Sequence, residues 1–170
     1  MVQSDANRRE AFATLYSQWA PRLYRTALGI LGNPHDASDA LQEAGLKAYR
    51  YFDSLHEADA GAAWLTRILI NACYDVGRKR SRTVPTGLEV ASGAAPMPGG
   101  EAGDWETMQA LKFLPEEQRT TVVLRFFQDL TIPQIAAVMG VPEGTVKSRL
   151  HAALSKLRHQ FADAGKEGAQ

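Results

Sequence analysis

Residues 131–154, TIPQIAAVMGVPEGTVKSRLHAAL, are the stretch that decides the fold. Apolar residues recur there at helical spacing on both sides of Gly140, which predicts a short helix over 132–139 and a long helix over about 143–161. Ala136 is small enough for two helices to cross closely, and Gly140 suits the tight turn between them. This combination predicts a helix-turn-helix.

Local signals support the start of the shorter helix. Thr131 is a typical N-cap residue, and Pro133 is tolerated in a first helical turn. The core that the two helices share is expected to contain Ile135, Met139, Val141, Val146 and Leu150. A generic helical hairpin is the alternative, and the charge pattern of the second helix disfavours it.

The second helix carries a charge of +4 between Gly144 and Ala162, with no acidic residue in that span. Its apolar face is expected to bury Val146, Leu150, Leu154, Leu157 and Phe161. In the major groove, the first turns of such a helix reach base edges and flanking cations contact phosphates. The candidates for contact with duplex DNA are Glu143, Thr145, Lys147, Ser148, Arg149 and His151. Each of them alone could be a solvated surface residue, and only the whole pattern indicates DNA.

Residues 62–82, AAWLTRILINACYDVGRKRSR, form a second basic stretch with helical periodicity. Aromatic and basic groups together suit single-stranded nucleic acid, which offers unstacked bases and phosphates. The candidate residues here are Trp64, Arg67, Asn71, Arg78, Lys79, Arg80 and Arg82. Periodicity alone places Trp64 in a core, and cations favour any helix C-terminus. The residues by themselves support both interpretations equally.

Helical periodicity also dominates the remaining folded parts, and no alternating strand pattern is present. We expect helices over about 7–31, 35–51 and 61–80, with Gly32-Asn33-Pro34 ending the first and a loop at 53–60. The inward face of the second helix is expected to contain Ala37, Leu41, Ala44, Ala48 and Tyr51. Two further helices are expected at 105–113 and from Pro115 to about Gln128. The predicted fold class is all-α.

Residues 84–103 differ from the rest, because they contain five Gly, three Pro and no Lys or Arg. Such a composition predicts a flexible linker. The chain therefore divides into a helical domain at 1–83, the linker at 84–103 and a helix-turn-helix domain at 104–170. The two domains are expected to be separate units that can lie far apart.

Charge is distributed unevenly along the 170 residues. The 19 basic and 19 acidic residues cancel overall, which at first argues against nucleic-acid binding. Residues 1–83 carry +2, residues 84–106 carry −4 and residues 107–170 carry +2. The neutral total therefore hides two mildly basic units and an acidic segment between them.

The sequence lacks the motifs that are typical of enzymes and metal-binding proteins. Cys73 is the only cysteine, the four histidines are scattered, and no Gly-rich phosphate loop precedes a helix. We therefore expect no enzymatic activity, no metal site and no cofactor. No run of about 18 apolar residues and no signal-peptide pattern is present, so a cytoplasmic location is expected.

The order of these segments resembles the extracytoplasmic-function (ECF) group of bacterial RNA polymerase sigma factors, which keep only regions 2 and 4 of the sigma-70 family. FATLYSQWAPRLYRTALGILGNPHDASDALQEAGLKAYRYF resembles regions 2.1 to 2.2, and AWLTRILINACYDVGRKRSR resembles regions 2.3 to 2.4. LPEEQRTTVVLRFFQDLTIPQIAAVMGVPEGTVKSRLHAALSKLR resembles region 4. The resemblance implies a subunit that binds core RNA polymerase and directs promoter recognition and melting.

The resemblance also implies residue roles. The second helix would dock on the clamp coiled coil of the largest polymerase subunit through Asp36, Asp39, Gln42 and Glu43. The 53–60 loop and Asn71 would capture a flipped base of the melted −10 element, which becomes readable outside the duplex. The last helix would read the −35 element. An anti-sigma factor is a further expected partner, and no small-molecule substrate or membrane insertion is expected.

Three sites depart from the pattern of the family. Ala44-Gly45 stands where a bulky residue often follows the Gln-Glu pair, and Gly45 should weaken the helix by up to about 1 kcal/mol relative to Ala. Ile132-Pro133 replaces a polar pair, and Ala152 replaces a larger side chain. Promoter preference is therefore not transferable from relatives.

Two other functions remain open on the sequence alone. One is a two-domain transcriptional regulator, although its effector-binding unit should lack a helix like 62–82. The other is a sigma-like decoy that acts through an anti-sigma factor, which the Ala44-Gly45 departure leaves open.

Overall fold

The computed structural model describes residues 2–55, 61–83 and 102–167, without the side chains of 2–4, 102–106 and 163–167. These residues form seven α-helices and one short 3₁₀ turn, and no strand occurs among them. The predicted all-α fold is confirmed. Most of the predicted linker and residues 56–60 of the predicted loop lie outside the described residues.

Three helices form the N-terminal unit: α1 (Val2–Leu31), α2 (Pro34–Tyr51) and α3 (Gly61–Thr83), with the 3₁₀ turn Phe52–Ser54 after α2. The chain reverses at Gly32, whose φ of +66° favours glycine. The side chain of Asn33 then caps α2, because its Oδ1 accepts hydrogen bonds from the backbone N–H groups of His35 and Asp36 at 2.8 and 3.2 Å. The predicted break between the first two helices is confirmed.

Small residues on α2 allow the three helices to pack closely. Ala37, Ala40, Ala44 and Ala48 are buried against large side chains of α1 and α3. Tyr51 was expected on this face, and that prediction is wrong, because its side chain is 63% exposed. The ring of Phe12 instead contacts Tyr49 and Phe52, with ring centroids 5.2 and 5.4 Å apart.

Four helices form the C-terminal unit: α4 (Ala102–Lys112), α5 (Glu116–Phe126), α6 (Ile132–Met139) and α7 (Glu143–Glu167). α4 begins three residues before its predicted start. α6 has its predicted bounds, and Thr131 caps it in a reciprocal capping box with Gln134. Gly140 ends α6 with a φ of +66°. The helix-turn-helix is confirmed.

The core of this unit lies where α7 crosses α5 and α6. Its fully buried members include Leu111, Leu124, Ile135, Val146 and Ala153. Phe161 was expected to be buried, and that prediction is wrong, because 54% of it is exposed. α7 extends past the shorter helices, and Leu157 is the last apolar residue of its stripe that packs on the core.

The two units are in contact. α1 packs against α5, and α3 packs against α6, so that one apolar cluster runs through both. This contact brings α3 next to α6, the first helix of the helix-turn-helix.

Candidate nucleic-acid interface

The outward face of α2 carries the residues predicted to bind polymerase. Asp39 and Gln42 are exposed, and Asp36 and Glu43 are partly exposed. Leu46 lies on the same stripe, four residues after Gln42, and is 62% exposed. Leu46 was not among the predicted residues, although its i+4 spacing from Gln42 was a usable signal. Its exposed side chain is available to a partner that docks on this face.

Gly45 makes room for Tyr16. A Cβ atom at Gly45 would lie 3.0 Å from both Cζ and Oη of Tyr16. The Tyr16 hydroxyl donates a hydrogen bond to the backbone oxygen of Leu41 at 2.7 Å, and burial raises the pKa of Tyr16 to about 12. The departure at Ala44-Gly45 therefore leaves no void, because a ring from α1 fills the space beside α2.

Ion pairs join α2 to α3. Arg80 Nη1 donates to Asp36 Oδ2 at 2.8 Å, and Lys79 Nζ donates to Glu43 Oε1 at 2.9 Å. The hydrogen bond from Lys79 to Glu43 raises the pKa of Lys79. Carboxylates predicted to bind polymerase thus neutralise cations predicted to bind the −10 element.

A third carboxylate on this side, Asp75, accepts two cations. Lys47 Nζ lies 3.1 Å from its Oδ2, and Arg78 pairs with its other oxygen. Hydrogen bonds from Arg78 and Lys47 lower the pKa of Asp75. Arg78 is therefore partly neutralised as well.

The rest of the predicted −10 set lies on α3 in different surroundings. Asn71 and Arg82 are exposed, whereas Trp64 is half-buried and packs against the core. Arg67 is exposed but donates a hydrogen bond to the backbone oxygen of Ala137 in α6. Asn71 and Arg82 are thus open to a ligand, and Arg67 is engaged with the other unit.

A cleft of about 540 Å³ separates the C-terminal end of α3 from the start of α5. Its charged lining consists of Asp36, Glu116, Arg78, Arg80, Arg82 and Arg119. Burial lowers the pKa of Arg119. Four arginines against two carboxylates make this end of α3 positive, which suits a phosphate backbone.

The predicted −35 set lies along the first turns of α7. Glu143, Lys147 and His151 are exposed at successive i+4 positions and so form one stripe. Ser148 is also exposed, and its hydroxyl donates to the backbone oxygen of Thr145 at 3.0 Å. A helix with such a stripe can present these side chains to the major groove.

Arg149 differs from its neighbours on α7. Its side chain is only 18% exposed and pairs with Glu117 of α5. Arg149 therefore lies beside the stripe, and its ion pair with Glu117 joins α7 to α5.

Two features of other functions are absent from the described part of the chain. No group of three or more His, Cys, Asp or Glu side chains that could hold a metal ion occurs there. Among the same residues, no helix is long and apolar enough to span a membrane.

Comparisons with known proteins match both units. The family model of Sigma-70 region 2 matches residues 15–83, and that of Sigma-70, region 4 matches residues 110–159. The chain is 30% identical over 171 residues to the ECF RNA polymerase sigma factor SigW of Bacillus subtilis, covering 91% of each protein. It is 38% identical over 153 residues to the ECF RNA polymerase sigma factor SigM of Mycobacterium tuberculosis, covering 89% of this chain and 78% of SigM.

Solved structures of sigma factors also match this chain. The sigma factor RpoE of Bartonella quintana, crystallised with the anti-sigma factor NepR, matches 90% of this chain and 98% of its own with a TM-score of 0.75 and 26% identity. CnrH, at 22% identity and a TM-score of 0.70, shares the fold. Both matched units occur in the order of regions 2 and 4, and the helix-turn-helix belongs to the second. The chain is therefore a member of the ECF group of sigma-70 factors, the RNA polymerase subunits that bind the core enzyme and promoter DNA and direct transcription initiation.

Proposed function

We propose that this sigma factor divides promoter recognition between two units with separate surfaces. Residues 1–83 dock on core polymerase and read the melted −10 element, and residues 104–170 read the −35 element as duplex DNA. The residues between the two units act as the tether. The observation that carries this division is the separation of chemistry: an acidic stripe on α2, an exposed amide with basic residues on α3, and a polar stripe on α7.

Docking uses the outward face of α2. Asp39, Gln42 and Leu46 lie on one stripe, with Asp36 and Glu43 beside it. Such a face suits a partner helix with an apolar ridge flanked by cations, as the clamp coiled coil is expected to supply. Leu46 would provide the desolvated centre, and the acidic residues would steer the encounter.

The −10 element is read by α3 after the strands separate. Asn71 has an amide that both donates and accepts, so it can hydrogen-bond to the edge of a flipped base. Arg82 and the cations at 78–80 lie along the last turns of α3, where they can follow the strand backbone. Trp64 and Arg67 complete the predicted set nearer the start of the helix.

The −35 element is read by α7. Lys147 lies at the middle of the exposed stripe, between Glu143 and His151. Lysine suits guanine O6 and N7 or a phosphate, and glutamate accepts from the cytosine amino group. Thr145 and Ser148 add hydroxyl groups, and Arg149 lies at the edge of the surface.

Partners and compartment follow from this assignment. RpoE was crystallised with an anti-sigma factor, which supports the proposal that this chain also has an inhibitory protein partner. Because core polymerase acts in the cytoplasm, we expect this chain to act there as well. Its contribution to initiation is binding, without chemistry of its own.

In vitro transcription on a randomised promoter library tests the function. Core polymerase with this chain should initiate from a defined subset of promoters sharing −35 and −10 elements. Core polymerase with a chain carrying Asn71→Ala and Lys147→Ala should lose that subset. If the wild-type chain bound core polymerase but selected no promoters, the decoy function would replace the proposed one.

A further inference from the structure

The cleft between the C-terminal end of α3 and the start of α5 has the size and the lining of a small-molecule site. We propose that it binds a nucleoside polyphosphate, with the phosphates on its arginines and the nucleoside against its apolar residues. Such binding requires neither polymerase nor promoter. The inference therefore goes beyond the proposed function and is tested independently of it.

The volume of the cleft suits a small ligand better than a DNA strand. At about 540 Å³ it lies within the range of roughly 300–1,000 Å³ that is typical of small-molecule sites. Its walls come from the end of α1, the start of α2, the last turns of α3 and the first turn of α5. A DNA strand would have to thread between these elements, whereas a mononucleotide can enter the cleft whole.

Arg119 of α5 is the residue that most directly indicates an anionic ligand. It lines the cleft, and its Nε atom is buried without a hydrogen-bond partner among the described residues. Burial lowers the pKa of Arg119, because the charged guanidinium is partly removed from water. A partly buried cation with an unpaired nitrogen is destabilising. An anion in the cleft would supply the missing countercharge.

The other arginines of the cleft decide how many phosphates it can hold. Arg78 and Arg80 are already paired with carboxylates of region 2. Arg82 is exposed at the end of α3, and neither it nor Arg119 forms an ion pair within the part of the chain that the structure describes. Guanidinium groups bind phosphates through two parallel hydrogen bonds. Arg82 and Arg119 can therefore hold two phosphate groups from two different helices.

The rest of the lining favours a nucleoside over a simple inorganic anion. Ile30 and Leu31, at the end of α1, contribute apolar surface that a planar base can contact. Glu116 also lines the cleft, and its Oε1 would lie 3.3 Å from a Cβ atom at Gly77. A carboxylate repels a bare phosphate but accepts hydrogen bonds from a ribose hydroxyl or from the amino group of a base. The ligand that matches this lining is a nucleotide with at least two phosphates.

Two substitutions remove the site by different means. Arg119→Gln removes the partly buried charge and keeps a polar side chain. Gly77→Leu fills the cleft from α3, where a Cβ atom would already lie 3.3 Å from Glu116 and 3.8 Å from Leu31. Leucine is a better helix former than glycine, so α3 should remain folded.

Each substitution has a matched control. Arg9→Gln removes an exposed arginine of α1 that precedes Ile30 by roughly 31 Å along the helix, at 1.5 Å per residue. Gly144→Leu adds the same side chain where a Cβ atom contacts nothing within 4 Å. Circular dichroism should show the helix content of wild type in all four variants.

Isothermal titration calorimetry of the full-length chain with ATP, GTP, pyrophosphate and sulfate tests the binding. At least one nucleotide should bind wild type and both controls with a Kd below about 100 µM. Its affinity should fall at least tenfold in Arg119→Gln and in Gly77→Leu. Absence of saturable nucleotide binding to wild type, or unchanged affinity in a folded Gly77→Leu chain, would overturn the site. Pyrophosphate or sulfate binding as tightly as the nucleotide would overturn the assignment to a nucleoside.

Two further measurements locate the ligand. The methyl resonances of Ile30 and Leu31 should shift with the nucleotide and stay in place with pyrophosphate, and unchanged resonances at saturating nucleotide would overturn the proposed orientation. A single-stranded DNA oligonucleotide should bind wild type and Gly77→Leu equally. If Gly77→Leu weakened DNA binding and left nucleotide binding intact, the cleft would belong to the promoter strand and the proposal would be wrong.

Discussion

The Nζ atom of Lys79 lies 2.9 Å from Oε1 of Glu43, so a residue predicted to contact the −10 element is paired with a residue predicted to contact polymerase. Both side chains are partly open to solvent, so such a pair contributes little to folding. A partner that bound Glu43 would release Lys79. The ion pair therefore links the two binding surfaces that are proposed for region 2.

Replacing Glu43 should separate these roles. Glu43→Gln should weaken binding to core polymerase by about three- to tenfold, because a charge in the docking face is lost. Lys79→Ala should leave polymerase binding within about twofold and reduce promoter opening. Fluorescence anisotropy of labelled chain titrated with core polymerase measures the first effect. Glu10→Gln, on the exposed side of α1, is the matched control. Wild-type affinity in Glu43→Gln would remove this residue from the docking face.

Asn71→Ala should impair strand opening more than initial promoter binding. The exposed amide of Asn71 is expected to hold a flipped base, a contact that forms only after melting. We expect about a tenfold loss of open complex, followed by 2-aminopurine fluorescence at the −10 element, with closed-complex affinity nearly unchanged. Asn7→Ala, an exposed asparagine on α1, serves as the control. Equal losses at both stages would contradict base capture.

Lys147 and Arg149 should behave differently, although both are basic residues of α7. Lys147→Ala should weaken −35-dependent transcription by about tenfold and leave thermal stability unchanged, because Lys147 is exposed. Arg149→Ala should also lower the melting temperature, since the pair with Glu117 is lost. Glu117→Gln should reproduce the loss of stability with a smaller effect on −35 recognition. Identical profiles for Lys147→Ala and Arg149→Ala would contradict this division.

The fit between Gly45 and Tyr16 predicts a coupled effect on stability. Gly45→Ala should destabilise the protein by about 1–2 kcal/mol, because Tyr16 is held by its hydrogen bond to Leu41 and by stacking on Phe12. In a Tyr16→Leu background the same change should become neutral or stabilising, since alanine favours helices by up to about 1 kcal/mol.

Urea unfolding of the four chains measures this coupling as a double-mutant cycle. Gly144→Ala, which adds a methyl group in open space, should stabilise the protein in both backgrounds. Additive effects of Gly45→Ala and Tyr16→Leu would show that the ring does not confine position 45.

Cys73 should be unreactive and should make the fold sensitive to alkaline pH. Burial raises the pKa of its thiol to about 12. The folded thiol therefore stays protonated while an unfolded thiol ionises, so the stability due to the neutral thiol is present below about pH 9 and is lost as the pH rises towards 12. Ellman's reagent at pH 8 should modify the denatured chain and leave the native chain unmodified. Cys73→Ala should reduce the loss of stability above pH 9, and rapid native labelling would contradict the burial.

Local signals allowed much of the fold to be predicted from the sequence. Thr131 and Gly140 set the bounds of α6, and Gly32-Asn33-Pro34 set the break after α1, because caps and turns depend on hydrogen bonds and φ angles within a few residues. Helical periodicity identified the apolar faces, because residues three and four apart lie on the same side of a helix. It failed at Tyr51 and Phe161, because periodicity shows which residues share a face but not where the neighbouring helix ends.

The sequence by itself therefore determined the helices, the helix-turn-helix and the residue types available for binding. The tertiary structure alone decided which of those residues are engaged with one another. Lys79 pairs with Glu43, Arg149 with Glu117, and Gln128 with Thr26 across 102 residues of sequence. Such pairs form only where packed helices bring distant side chains within about 3 Å, and no spacing rule along the chain encodes that distance.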